Sequence, residues 1–207
     1  ADAVQASYHA RLMELAQGCM GDIVAGAERG DDLWSAFFAI EALWQAGDGE
    51  QALALIEKTW GRLLDRSGRT WGEKAGSLEA QPGPDALLAA YMLGVRTMPD
   101  GVLEIRPQLA GRERAEGQVA TPYGDVGISW GAYGGGFSMR AKVVHDGETR
   151  MAVPRRDKKF PQIAVNGETV WRNEKVYPNF VVQEFASEEE RVVLVVRKAG
   201  KYEVEVQ

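Results

Sequence analysis

The apolar residues of this chain obey two different periods, and the switch between them near residue 97 constrains the fold more than any other feature. Before it, Val4, Tyr8, Leu12, Leu15 and Cys19 recur at steps of three or four, the spacing of one helix face. A first helix is predicted from about Asp2 to Gln17. Asp31 or Asp32 supplies a cap for a second, because a short carboxylate accepts bonds from the free amides of a first turn. Leu33, Phe37, Ile40, Leu43 and Trp44 form its buried face, and Ala46-Gly47-Asp48 stops it. A third helix runs from about Glu50 to Leu64 with Ala52, Leu53, Leu55, Ile56, Trp60 and Leu63 inward. The connection is short, so the two helices pair. Pro84 opens a fourth helix, which ends at Gly94.

From Val102 onward the period is two. Val126, Ile128 and Trp130 alternate with Gly127 and Ser129, and Phe137, Met139, Ala141 and Val143 repeat the pattern beyond Gly134-Gly135-Gly136. Asn166-Gly167 is a hairpin turn between Ile163-Val165 and Val170, and two more strands follow at Val192 to Val196 and Tyr202 to Val206. Many short strands, each with one apolar face, close as an antiparallel β-sandwich. The fold class is therefore α+β and multidomain, with helices over 1–97 and a C-terminal β-sandwich over 98–207.

Composition removes several classes of function. With 24 basic and 30 acidic residues the net charge is −6, so no basic field draws nucleic acid or anionic lipid. Neither a nucleic-acid nor a membrane partner is expected. One cysteine excludes an internal disulfide, and His9 and His145 are too far apart in sequence to suggest a metal motif. No metal or cofactor is expected, and no compartment is indicated.

The segment Thr70-Trp71-Gly72-Glu73 is the best place to look for chemistry. A tryptophan ring packs on the face of a pyranose, and a neighbouring carboxylate handles a proton or a water. Each singled-out residue also has a plainer explanation. A loop glutamate is ordinarily a solvated charge, and Trp71 can simply cover an apolar end. Trp44 and Trp60 sit at helical spacing and are read as core, as is Trp130 on its alternating strand. Asp31 and Asp32 are a cap, Gly134 to Gly136 a hairpin turn, and Arg155 to Lys159 a solvated loop.

The run from Gly30 to Gly47 resembles the late barrel helix of bacterial family 78 glycoside hydrolases, the α-L-rhamnosidases. The stretch Ala52 to Asp65 extends the resemblance into Thr70–Glu73. Leu93 to Arg96, Ile105-Arg106-Pro107 and Gly117 to Trp130 resemble the family's passage into its C-terminal sandwich. The likeness spans nearly the whole chain in the family's own order.

This resemblance implies the incomplete end of an (α/α)6 toroid, since about four helices precede the sandwich where a closed toroid needs twelve. It implies a general base at Glu73 for an inverting displacement, an aromatic wall including Trp71, and a sugar contact or packing role for Trp34 at a helix start. An inverting enzyme needs a second carboxyl roughly 6.5–9.5 Å away, and the family's general acid has no counterpart here. Two departures accompany this. Ser77 to Pro84 lacks the histidine and tryptophan that follow the family's base, and Gly72 stands where a tryptophan is usual.

Two functions follow. The chain is a fragment of an inverting hydrolase that cleaves terminal rhamnose from glycans, inactive by itself. Alternatively, it is a non-catalytic structural or carbohydrate-binding module. The expected partners are a rhamnose-containing carbohydrate and either the rest of the toroid or a second copy, since a few toroid helices alone leave Phe37, Phe38 and Leu53 partly uncovered.

Overall fold

The computed structural model describes residues 33–67, 83–155, 162–188 and 190–207. The chain divides into two compact units between Leu87 and Leu88.

In the first unit, α1 (Leu33–Gln45) and α2 (Gly49–Ser67) pack against each other. The turn between them satisfies its own backbone. Gly47, at φ +84°, donates to Trp44 O at 3.1 Å, and Asp48 donates to Leu43 O at 2.9 Å. This pair of bonds closes the end of α1. The Asp48 carboxylate then accepts from Gln51 N at 3.2 Å and caps α2. Ala36, Ala39, Ile40, Leu43 and Trp44 of α1 are buried, as are Ala52, Leu53, Leu55, Ile56 and Trp60 of α2. Trp44 and Trp60 are fully buried, in keeping with their helical spacing. Leu53 is buried, contrary to the expectation of partial exposure, because its position faces inward with Ala52 and Ile56. Phe38 is 57% exposed. A third helical segment, α3 (Asp85–Leu87), ends this unit.

The second unit begins with a π-helical turn, Leu88–Met92, in place of the α-helix expected to continue to Gly94. Leu93 N bonds Leu88 O at 2.9 Å, one residue wider than an α-turn. The carbonyls explain the widening. Tyr91 O accepts from Gln108 N at 2.9 Å, Met92 O from Trp130 Nε1 at 2.9 Å and Gly94 O from Arg106 N at 2.8 Å. These partners are far away in sequence, so local periodicity gives no hint of them. Gly94 itself, at φ +77°, lies so close to the Arg106–Pro107 peptide that a Cβ there would fall 2.2 Å from Arg106 C.

Twelve strands among the described residues make two sheets. The first contains β1 (Val95–Thr97), β2 (Leu103–Ile105), β6 (Thr149–Pro154), β11 (Arg191–Val196) and β10 (Glu184–Ser187), in the order β1-β2-β6-β11-β10. The second contains β3 (Arg114–Thr121), β4 (Gly124–Gly131), β5 (Phe137–Val143), β12 (Gly200–Val206), β7 (Gln162–Val165), β8 (Glu168–Arg172) and β9 (Lys175–Val176), in the order β3-β4-β5-β12-β7-β8-β9. All pairs are antiparallel except β2 with β6. The purely antiparallel sandwich expected from the sequence is corrected in that one pairing, since β2 and β6 are separated by the whole β3-to-β5 meander.

One core fills the space between the sheets. Leu103, Ile105, Met151, Val153, Leu194 and Val196 face Val126, Ile128, Trp130, Met139, Val165 and Val204, all buried. The alternation of β5 is complete, with Phe137, Met139, Ala141 and Val143 buried and the three residues between them exposed. The described helices do not make a toroid by themselves, and the sandwich accounts for most of the described structure.

Candidate functional site

The sequence-derived site is only partly visible. Glu73 and Trp71 lie outside the described residues. Trp34 falls in the first turn of α1, and its side chain is likewise outside them. The described residues that can be compared as a site are therefore other side chains.

The five-stranded sheet carries a charged network whose role is to join strand ends. Glu104 of β2, 8% exposed, accepts from Arg96 at 2.6 Å and from Arg106 at 3.1 Å. Arg106 also grips Glu188 through two bonds at 2.9 and 3.0 Å. That hydrogen-bonded guanidinium holds the Glu188 carboxyl below its ordinary value, against the opposing effect of burial. Arg191 donates to Ala152 O at 3.0 Å and Pro107 O at 2.9 Å, and burial lowers its pKa. Arg155, expected in a solvated loop, is instead largely covered and bonds Glu174 at 2.8 Å and Ser187. Each of these side chains has a partner within the sandwich.

The outward face of the seven-stranded sheet differs. An open groove of about 800 Å³ runs across β3, β4, β5 and β12. It adjoins a second depression of about 520 Å³ that shares Glu116, Ser129 and Arg140 with it. Strand register explains the shape. Glu116, Ser129, Arg140 and Glu203 lie side by side on one rung, and Gln118, Gly127, Lys142 and Lys201 on the next. On β4 the outward positions are Asp125, Gly127, Ser129 and Gly131, so beyond Asp125 the strand has almost no side chains to fill the groove. Its flanks are long and polar. Arg140 Nε bonds Glu203 Oε1 at 2.9 Å, and Gln118 Nε2 bonds Asp125 Oδ2 at 3.0 Å.

Tyr133 closes one end of the second depression. Its ring lies against Gly131, where a Cβ would come within 2.8 Å of the ring, and the residue remains 55% exposed. The groove offers amide, carboxylate and guanidinium groups beside an aromatic ring, suited to hydrogen-bonding and stacking a ligand. It does not enclose a bond to be broken. Sequence reasoning assigned Gly127 and Ser129 to the solvent side of an alternating strand and drew nothing further. The available signal was a row of small residues on an interior strand, where β-branched side chains ordinarily pack well.

Among the described residues no cluster of three or more histidine, cysteine or carboxylate side chains is arranged to hold a metal. None of their helices is long and apolar enough to cross a membrane.

No protein-family model matches the chain. No curated protein matches it. Solved structures do. The α-L-rhamnosidase from Dictyoglumus thermophilum superposes with a TM-score of 0.63 at 17% identity, over 85% of this chain and 21% of that one. Streptomyces avermitilis α-L-rhamnosidase, solved in complex with L-rhamnose, superposes with a TM-score of 0.59 at 16% identity, over 82% and 17%. This chain has the fold of part of an α-L-rhamnosidase. It spans about a fifth of the length of each of these enzymes. At such identities the likeness concerns fold, in agreement with the resemblance drawn from the order of sequence motifs.

Proposed function

We propose that this chain is the late portion of an α-L-rhamnosidase-like glycoside hydrolase: the closing helices of an (α/α)6 toroid followed by a bracing β-sandwich, over 1–97 and 98–207. The observation that carries this reading is the fold likeness to two α-L-rhamnosidases over more than four-fifths of the chain. It is supported by the position of Thr70–Glu73 after α2. In this reading Glu73 is the general base that activates water, with Trp71 and Trp34 forming part of the sugar-binding wall. The substrate is a terminal rhamnose on a glycan or glycoside.

The chemistry requires an acid that protonates the leaving oxygen from the opposite side of the scissile bond. No residue of this chain is assigned that role, so the isolated polypeptide is expected to be inert and to regain a complete site only with the rest of the toroid. The test is hydrolysis of an aryl α-L-rhamnoside by a longer protein containing this chain, beside its Glu73→Gln variant. Activity lost in the variant supports the assignment of Glu73. Equal activity in both removes Glu73 from the mechanism. A product that retains its anomeric configuration excludes the inverting route.

A second reading, a non-catalytic carbohydrate-binding unit, is favoured by one observation. The described residues that line the groove on the seven-stranded sheet all belong to the sandwich.

A further inference from the structure

We propose that the groove over β3, β4, β5 and β12 is a binding site for a neutral oligosaccharide. The inference rests on reading the chain as part of a glycan-processing protein; its location and its chemistry come from the sandwich alone.

The first argument is the cost of building the groove. β4 is an interior strand, paired with β3 on one side and β5 on the other. Glycine at such a position weakens a strand because it packs no side chain and raises the entropy lost on folding. Two glycines and a serine nevertheless occupy three of its four outward positions, Gly127, Ser129 and Gly131, the fourth being Asp125. At Gly127 no backbone constraint demands this. Its φ is not in the left-handed region, and a Cβ would meet nothing nearer than Lys142 Cβ at 3.7 Å, an ordinary contact. The missing side chain therefore keeps space open above the sheet. Gly131 serves a different purpose, because its lack of a Cβ lets the Tyr133 ring lie down against the strand.

The second argument is charge. Glu116, Asp125 and Glu203 line the groove together with Arg140, Lys142 and Lys201, so three negative and three positive groups balance. Such a lining generates no net field to concentrate a polyanion or a polycation. It does present donors and acceptors side by side, the pattern that matches vicinal hydroxyls, each of which both donates and accepts. The adjoining depression adds one further positive group, Arg114, and the half-exposed Tyr133 ring, an apolar platform for the C–H face of a sugar.

The third argument is size. Four strands at about 4.8 Å spacing give a floor roughly 14 Å across, long enough for a short oligosaccharide and larger than a single sugar needs. The outward strand positions alternate with buried core residues, so the floor is rigid and its polar groups are held in register.

The experiment is calorimetric titration of the 207-residue chain with three probes: a trisaccharide ending in α-L-rhamnose, cellotriose, and a sulfated trisaccharide. The same titrations are run on Gly127→Val, which fills the groove with a residue suited to a strand, and on Tyr133→Ala. Thermal unfolding of each variant monitors the fold. Saturable binding of a neutral probe, weakened at least about tenfold in both variants with an unshifted unfolding midpoint, is the expected result. Binding of cellotriose without the rhamnoside keeps the groove as a neutral-oligosaccharide site with no preference for rhamnose, and leaves the hydrolase reading to the Glu73→Gln assay. Failure of both neutral probes, undiminished binding in Gly127→Val, or preference for the sulfated probe overturns the proposal.

Discussion

Trp130 Nε1 donates to Met92 O at 2.9 Å, and through that bond an interior strand of the seven-stranded sheet holds the π-helical turn that opens the second unit. Trp130 is 3% exposed, and Met92 is half-buried. Replacing it by phenylalanine keeps an aromatic ring in the core but leaves the carbonyl without its donor, an expected loss of about 1–3 kcal/mol. Trp171 provides the control. It is equally buried, but its Nε1 has no hydrogen-bond partner among the described residues. Trp171→Phe should therefore cost less than Trp130→Phe in urea unfolding, and the reverse order would contradict the structural role given to the Met92 bond.

Gly94 tests the close approach of two backbones. Alanine there must both adopt a left-handed φ and push against the Arg106–Pro107 peptide. Strain and overpacking together should cost about 3–5 kcal/mol. A Gly94→Ala protein that unfolds at the parent temperature would mean that the crossing can relax freely.

The pH dependence of stability should carry a signature of Glu188. Its hydrogen bonds from Arg106 lower its folded pKa. A carboxyl depressed in this way contributes stability that is fully present above the unfolded value, about 4.3, and is lost as pH falls through the lower folded value. Glu174, held down by its hydrogen bond from Arg155, acts in the same direction. In Glu188→Gln the acid limb of the stability profile should become shallower, with the change confined to the region below about pH 5. An unchanged limb in acid-titrated unfolding would show that the ion pair does not persist in solution.

Phe38 on α1 bears on assembly. It is 57% exposed and meets Phe37 edge to face, with ring centroids 5.9 Å apart. The 207-residue chain should self-associate in sedimentation experiments, and Phe38→Asp should shift it toward monomer. A parent chain that sediments as a monomer at all concentrations would remove self-association as a way of covering this helix.

What the sequence revealed depended on how local the cause was. Gly47 and Asp48 end a helix through bonds to Trp44 and Leu43, both within five residues, and the stop was readable. The alternation of Val126, Ile128 and Trp130 identified β4 in the same way. The three-residue strands β1 and β2 are too short to display a period, so strand structure begins at Val95, ahead of the alternation seen from Val102. The parallel pairing of β2 with β6 and the π turn were invisible because their partners come from distant segments. At the site, motif order pointed to the residues around Glu73, whereas the groove emerged only when register placed Glu116, Ser129, Arg140 and Glu203 on one rung.

β12 is the last strand among the described residues and the fourth of seven in its sheet, standing between β5 and β7. The meander β3-β4-β5 and the group β7-β8-β9 are joined within that sheet only through it. The two groups therefore cannot join into one sheet before residues 200–206 are in place. Shortening the chain by that one strand would not trim the sheet at its margin but divide it in two.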